Sequence, residues 1–414
     1  MGPPEPAGSA PVRILRIAAG GDGVGRLEDG LTVFVPRTAP GDLVAIRDLR
    51  RKRGFAHARL LRVLEPGAGR TEPGCPHYDA DECGGCQLQH LASPAQRAVR
   101  QRIVGDALRR IGHLDTDDPV IEPALTEWGY RARIALHAAG GRIGFRPLGR
   151  PADTFALRSC HIARDEIRTL WDFLRERQPL LPERLARLTL RVARDGHRHV
   201  VAEVPRGGGW RQAEVLAREL GQAGLDTTLW CGVESEAPAP VHGGDDELFP
   251  AAAFEQVNPA MGDRIREVAV AALAAAPGET IWDLYAGVGE TTALLVNAGA
   301  DVVSVELDEH AVAFAVHRGP PARRFAARVE DVIESLPPPD RVITNPPRTG
   351  MHERVVRRIT ALAPRQVVYV SCDPATLARD IARLGAGFRL ASLTAFDLFP
   401  QTAHVETVAV LERG

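Results

Sequence analysis

From about residue 255 the chain alternates short β-branched runs with helical stretches, and no other feature restricts its fold as much. Thr280–Tyr285 reads as a strand, Ala286-Gly287-Val288-Gly289 as a tight turn, and a helix starts near 290. Asp301–Val305 is a second strand ending in Glu306; Arg323–Ala327, Arg341–Thr344 and Val367–Val370 continue the ladder. Stretches 387–396 and 404–412 complete an expected seven-stranded, Rossmann-like sheet. Such sheets place ligands at the carboxyl ends of their strands. The glycines let a cofactor approach the backbone, and an acid some twenty residues on, Glu306, suits ribose hydroxyls. Glu330-Asp331 is placed to meet an adenine edge. This spacing accommodates either a dinucleotide or S-adenosylmethionine.

The fifth strand leads into Ser371-Cys372-Asp373-Pro374, with Pro374 suited to the first turn of a helix. Cys372 therefore stands at the ligand-bearing edge. A thiolate there is a far better nucleophile at neutral pH than a hydroxyl. The plainer alternative is a small core residue beside a turn.

Upstream, residues 12–64 hold five short β-rich runs separated by turn signals, the pattern of a small OB-type barrel. Arg50-Arg51-Lys52-Arg53-Gly54-Phe55 sets four cations beside an aromatic, useful for phosphates and stacking. Residues 1–65 carry 11 Lys+Arg against 7 Asp+Glu, although the whole chain has a formal net charge of −2. That local excess is compatible with RNA binding. Cys75, Cys83 and Cys86 cluster, and Cys160 follows far downstream. In a reducing compartment such thiols read as ligands, and four of them suit zinc or an iron–sulfur cluster. Residues 94–111 read as an amphipathic helix, and 120–250 as a smaller central α/β domain, in which Arg131 and Arg133 could hold RNA phosphates or an extruded base. No apolar run reaches membrane-spanning length and no signal peptide is legible, so a cytoplasmic protein with a short floppy start is expected.

Five stretches then match one family in order: Phe254-Glu255-Gln256-Val257-Asn258, Asp283–Gly289, Asn345-Pro346-Pro347-Arg348-Thr349-Gly350, Ser371–Asp380 and Phe399–Thr407. Phe34-Val35-Pro36 and Pro40-Gly41-Asp42 resemble the TRAM module, and Cys83-Gly84-Gly85-Cys86-Gln87-Leu88-Gln89-His90 resembles a cluster-binding signature. Together they resemble the TRAM-containing, iron–sulfur RNA uracil-5-methyltransferases of the 23S ribosomal RNA type. The resemblance implies a class I S-adenosylmethionine-dependent methyltransferase domain over 256–414, a TRAM domain over 1–65, and a cluster-bearing central domain over 66–255. It implies a 4Fe-4S cluster on Cys75, Cys83, Cys86 and Cys160, and a monomer acting on 23S ribosomal RNA, since the tRNA-specific branch lacks both TRAM and cluster. Cys372 would attack uracil C6 and Glu406 would remove the C5 proton. Gln256, Tyr285, Gly287, Glu306, Asp331 and Asn345 would form the cofactor site. His404, two residues from Glu406, would share its strand face.

Three residues depart from the family pattern: Ala286 where Cys is frequent, Asp373 where Asn is usual, and Asn345 where Asp is normal. Asn345 can hydrogen-bond but cannot carry charge or take a proton. This motivates one alternative, an RNA-binding ribosome-assembly factor with weak or lost catalysis. Another is an amino-group methyltransferase, from Asn345-Pro346-Pro347; Arg348 in place of a stacking aromatic argues against it.

Overall fold

The computed structural model describes residues 10–233, 236–243 and 256–414. The first nine residues, and Phe254 and Glu255 of the first motif, lie outside them.

Alternating burial builds the first unit. Strands β1 (Val12–Ile17), β2 (Gly23–Arg26), β3 (Thr32–Val35), β4 (Leu43–Arg51) and β5 (Phe55–Glu65) close into a barrel in the order β1-β2-β3-β5-β4. Val33, Val35, Val44, Ile46, Ala56 and Ala58 point inward, while their neighbours along each strand face out. Closure removes the free edges that a five-stranded sheet would otherwise expose.

The chain then forms α1 (Pro76–Ala80), α2 (Ser93–Arg110) and the short strand β6 (Val120–Glu122). A second sheet follows, built from β7 (Arg133–Ala139), β8 (Arg142–Gly144), α3 (Asp165–Glu176), β9 (Arg187–Val192), β10 (Arg198–Val204), α4 (Ala213–Gln222), β11 (Thr227–Val233) and β12 (Ala239–His242). Its order is β12-β11-β10-β9-β7-β8. Leu188, Leu190, Val200 and Ala202 bury one face against Trp171 of α3 and Leu216 of α4.

The carboxyl-terminal unit runs α5 (Pro259–Leu273), β13 (Thr280–Leu284), α6 (Glu290–Asn297), β14 (Asp301–Glu306), α7 (Glu309–Arg318), β15 (Arg323–Ala326), α8 (Val329–Val332), β16 (Arg341–Thr344), α9 (Glu353–Leu362), β17 (Gln366–Ser371), α10 (Pro374–Leu384), β18 (Phe388–Phe396) and β19 (Glu406–Arg413). Its order is β15-β14-β13-β16-β17-β19-β18-β6, so all seven expected strands are present and β6 adds an eighth, parallel to β18. β17 is buried along its whole length, as the uninterrupted apolar run required. Full burial of each Val there contributes roughly 1.5–3 kcal/mol.

Helix α2 is not amphipathic in the simple sense its spacing suggested. It lies between the barrel and α10, and buries Gln96 and Arg100 as well as Val99, Ile103 and Leu108. Arg100 donates to Asp397 Oδ1 at 2.6 Å and to the Thr402 carbonyl at 2.7 Å, while its buried Nε has no partner.

Candidate active site at the ends of the middle strands

The pairing registers assemble the site. Ile343 of β16 lies opposite Val368 of β17, so Asn345 follows at the level of Val370. On the other side of β17, the antiparallel ladder with β19 ends at Ser371 opposite Thr407. One step further along that register stand Cys372 and Glu406. Directly opposed residues point to one sheet face with their Cβ atoms about 5 Å apart. Two residues separated in sequence by thirty-four positions thus meet at the carboxyl edge of the sheet.

Burial and one nearby cation act on both groups in the same directions. Glu406 is 1% exposed, and its Oε2 has no hydrogen-bond partner. Burial pushes its carboxyl up to about 8, opposed by the Arg348 guanidinium. Cys372 is half-buried; burial, then the nearby Glu406, raise its thiol to about 11, and Arg348 again pulls the other way. A buried carboxyl with an open oxygen is poised to exchange a proton. Arg348 is exposed and is the cation common to both groups. Its role was not legible in the sequence, because a loop arginine carries no periodicity that says where it points.

The helix after Cys372 starts on Asp373, whose Oδ1 accepts from the amides of Ala375 (3.0 Å) and Thr376 (2.9 Å). Asp and Asn cap helices equally well, so this departure from the family pattern leaves the cap intact. His404 lies before β19 rather than within it, and so does not share a strand face with Glu406. The expectation fails because the chain from Phe399 to Val405 forms a loop. That loop is held by Gln401 in a left-handed conformation (φ 71°) and by its bonds to Gln96. Burial lowers the His404 imidazole to about 4, which keeps it neutral.

Beside this pair a cleft is lined by Gln256, Tyr285, Gly287, Asn345, Val370 and Arg266, among others. Four of the six expected cofactor residues thus share one surface. Tyr285 holds φ at 63°, rare for a residue with a bulky side chain, and leads into Gly287 at 55° and Gly289 at 82°. Glu306 does not line the cleft itself. It accepts from the Gly287 amide at 2.8 Å through one oxygen and from the Asp308 amide at 2.9 Å through the other. Asp331 is exposed on α8 and is not among the lining residues. Asp283, under the glycine turn, was not expected. It is fully buried, accepts from Thr292 Oγ1 at 2.5 Å and is raised by burial to about 6.

The cysteines converge away from this cleft. All four are free thiols, and Cys86 and Cys160 pack with Tyr78, Trp128, Tyr130 and Ile162. Burial raises Cys83 to about 11 and Cys86 to about 12, and both feel Cys160; Cys75 acts on Cys83 and Cys160. Among the described residues no three His, Cys, Asp or Glu side chains close on a point as the ligands of a single metal ion would.

A family model described as tRNA (Uracil-5-)-methyltransferase matches residues 322–414, and a TRAM domain model matches residues 10–61. A 23S rRNA (uracil(1939)-C(5))-methyltransferase of Thiobacillus denitrificans is 32% identical over 97% of this chain and 99% of its own length. A protein of the same description from Cupriavidus necator is 34% identical over 95% of this chain and 98% of its own.

The chain belongs to the RNA uracil-5-methyltransferase family.

Its fold is shared beyond these relatives. The crystal structure of Pyrococcus abyssi tRNA (uracil-54, C5)-methyltransferase aligns with 97% of this chain and covers 99% of that one, with a TM-score of 0.74 at 23% identity. Since that protein is described as acting on tRNA, an architecture that spans the barrel does not by itself single out ribosomal RNA among the family's substrates. No helix among the described residues is long and apolar enough to cross a membrane.

Proposed function

We propose that this family member transfers a methyl group from S-adenosylmethionine to C5 of an unpaired uridine in 23S ribosomal RNA. The observation that carries the reading is the opposition of Cys372 and the partnerless, buried Glu406 across the end of the β17–β19 ladder. The ribosomal substrate is supported by the descriptions of the full-length relatives.

Adenosylmethionine supplies the electrophilic methyl group. Uracil C5 is too poor a nucleophile to take it unaided. The Cys372 thiolate adds to C6, pushing electron density through an enolate to C5, which becomes the nucleophile. Arg348 offsets the negative charge that both steps require. Once C5 is methylated, Glu406 takes the C5 proton; the C5–H electron pair re-forms the ring double bond and expels the Cys372 sulfur. Glu406 must be ionised to do this. Gln256, Tyr285, Gly287 and Asn345 would line the cofactor, with Glu306 holding the glycine turn from behind. A base stacked in a helix cannot present both faces, so the uridine is extruded from a loop, at a few kcal/mol. Arg131 and Arg133, and the barrel, can offset that cost through backbone contacts. The site needs one chain only, consistent with a monomer working where ribosomal RNA is found, in the cytoplasm.

The four thiols would suit the 4Fe-4S cluster that the family resemblance implies. They act on one another electrostatically, and Cys86 and Cys160 share one aromatic-walled cluster. When bound, such a group would convert these thiols to thiolates and tie Cys160 of the central unit to the segment that follows the barrel.

RNA containing 5-fluorouridine tests the mechanism, because fluorine at C5 blocks the final elimination. A covalent adduct on Cys372, absent in Cys372→Ala, is expected. RNA binding without an adduct under any condition would favour an assembly factor instead. Mapping 5-methyluridine in 23S ribosomal RNA with and without the gene identifies the target; an unchanged map would overturn the substrate.

A further inference from the structure

The barrel carries a group of rings that its core does not use. Along β3 and β5, Val33, Val35, Ala56 and Ala58 fill the interior, so Phe34, Phe55 and His57 stand on the outer face. Their centroids lie 5.8 Å (Phe34–Phe55), 5.5 Å (Phe34–His57) and 5.3 Å (Phe55–His57) apart. The Lys52 ammonium sits 5.5 Å from the Phe55 centroid. Across the strands, His57 is the register partner of Phe34 on one side and of Arg50 on the other. A row of Arg50, His57 and Phe34 therefore crosses β4, β5 and β3 on one surface. Arg50, Lys52, Arg53 and His57 are exposed.

This surface connects to the reacting groups. Asp22 lies near enough to His57 for the two to interact electrostatically. The turn before it packs on the loop that leads to Glu406. A Cβ on Gly21 would lie 2.5 Å from Gln87 Cβ and 3.3 Å from Ala403 Cβ. Ala403 is three residues from Glu406.

We propose that Phe34, Phe55 and His57, flanked by Arg50 and Lys52, form a stacking site for one or two unpaired nucleobases of the RNA strand that continues from the target uridine. This rests on the uracil-methyltransferase reading for the identity of that strand. Duplex RNA hides its base faces, so a ring platform gains little from it. Single strands offer a π-face at every nucleotide and a phosphate for each flanking cation. The platform would grip one side of an opened loop while Cys372 engages the extruded base.

The test uses the full chain and a fluorescent single-stranded oligoadenylate, titrated over a range of salt concentrations. Phe34→Leu with Phe55→Leu keeps the outer face apolar and should weaken binding about tenfold or more. The salt slope should stay the same, and KM for substrate RNA should rise in parallel. Arg50→Ala with Lys52→Ala should instead flatten the slope of log K against log salt by about 1.4. Phe55→Trp should restore the affinity of a Phe55→Leu protein. Abasic oligonucleotides, tested on the unmodified protein, should lose the same free energy as the leucine variant. Abasic and intact strands binding alike, or leucine variants binding within about twofold of the parent, would overturn the site. A protein partner competing for the surface while RNA affinity stays intact would overturn it as well. Adduct formation with 5-fluorouridine RNA separates the two readings. An adduct without ring dependence removes the stacking site alone. No adduct removes the methyltransferase reading, and the oligonucleotide titration still decides the site.

Discussion

Glu406 couples reactivity to stability. Its carboxyl is raised from 4.5 to about 8 by burial. A carboxyl whose folded pKa is raised binds its proton more tightly when folded. The associated stability is therefore complete below about pH 4.5 and is lost as pH rises through about 8. The rise corresponds to at most ~5 kcal/mol. Glu406→Gln cannot ionise, so its melting temperature should exceed that of the parent at pH 9 and approach it at pH 5. The same variant should accumulate the Cys372 adduct and turn over at least 100-fold more slowly, because the C5 proton has no acceptor. For the parent, kcat should climb with pH toward about 8; a kcat flat from pH 6 to 9 would exclude Glu406 as the base. Asp373 acts on the partner group. Its negative charge raises the Cys372 thiol, while its side chain caps α10. Asp373→Asn keeps the cap and removes the charge, so adduct formation should shift to lower pH with stability within ~0.5 kcal/mol of the parent. A shift to higher pH would remove Asp373 from the charges acting on the thiol.

Loop 345–351, between β16 and α9, is positioned from below by α10. Asp380 is fully buried, and its Oδ2 accepts from the Met351 amide at 2.8 Å and the Tyr369 hydroxyl at 2.9 Å. Arg379 donates to the Thr349 carbonyl at 2.7 Å. Gly350 has φ +76°, and a Cβ there would lie 2.3 Å from Arg379 Nη2 and 2.4 Å from Asp380 Oδ2. Gly350→Ala should therefore cost roughly 1–3 kcal/mol through strain and displaced partners. It should also lower kcat, because Asn345 and Arg348 ride on the same loop. Denaturant titration and single-turnover kinetics together check this; a stable variant with normal kcat would show the clamp to be dispensable. These elements also show what a sequence can convey. β17, β13 and the barrel strands announced themselves because their period and turn residues are local. β6 did not: three residues are too few to carry a period, and Val120 is exposed. Cys372 and Glu406 were legible from their motifs, but their opposition depends on the β17–β19 register, which only strand pairing fixes. Arg348 was missed because it stands in a loop, where no period says which way a side chain points.

At the scale of the molecule, α2 is the seam that joins the barrel to the reacting edge. One side of it packs near Ile17, Leu88 and Leu91, and Ala403 belongs to the same cluster. The other meets α10. Through it Gln96 holds Gln401, and Arg100 holds both Asp397 and the Thr402 carbonyl. Those contacts fix the loop that delivers Glu406, so barrel docking and the placement of the base share one set of bonds. Arg100 and Asp397 are both almost wholly buried. Removing one partner leaves a charge without compensation, whereas removing both loses packing and the Arg100 bonds to the Thr402 carbonyl and to Gln96 Oε1. Arg100→Leu should cost about 3–5 kcal/mol and depress kcat, because the loop before Glu406 loses its anchor. Arg100→Leu with Asp397→Leu should recover much of the stability but not the rate, since Thr402 still lacks its donor. Chemical denaturation and single-turnover methylation of the three proteins measure the two effects separately. If the double variant regained full kcat, Arg100 would be a structural ion-pair partner alone, and the path from the barrel to Glu406 would have to run through Gln96 and Gln401.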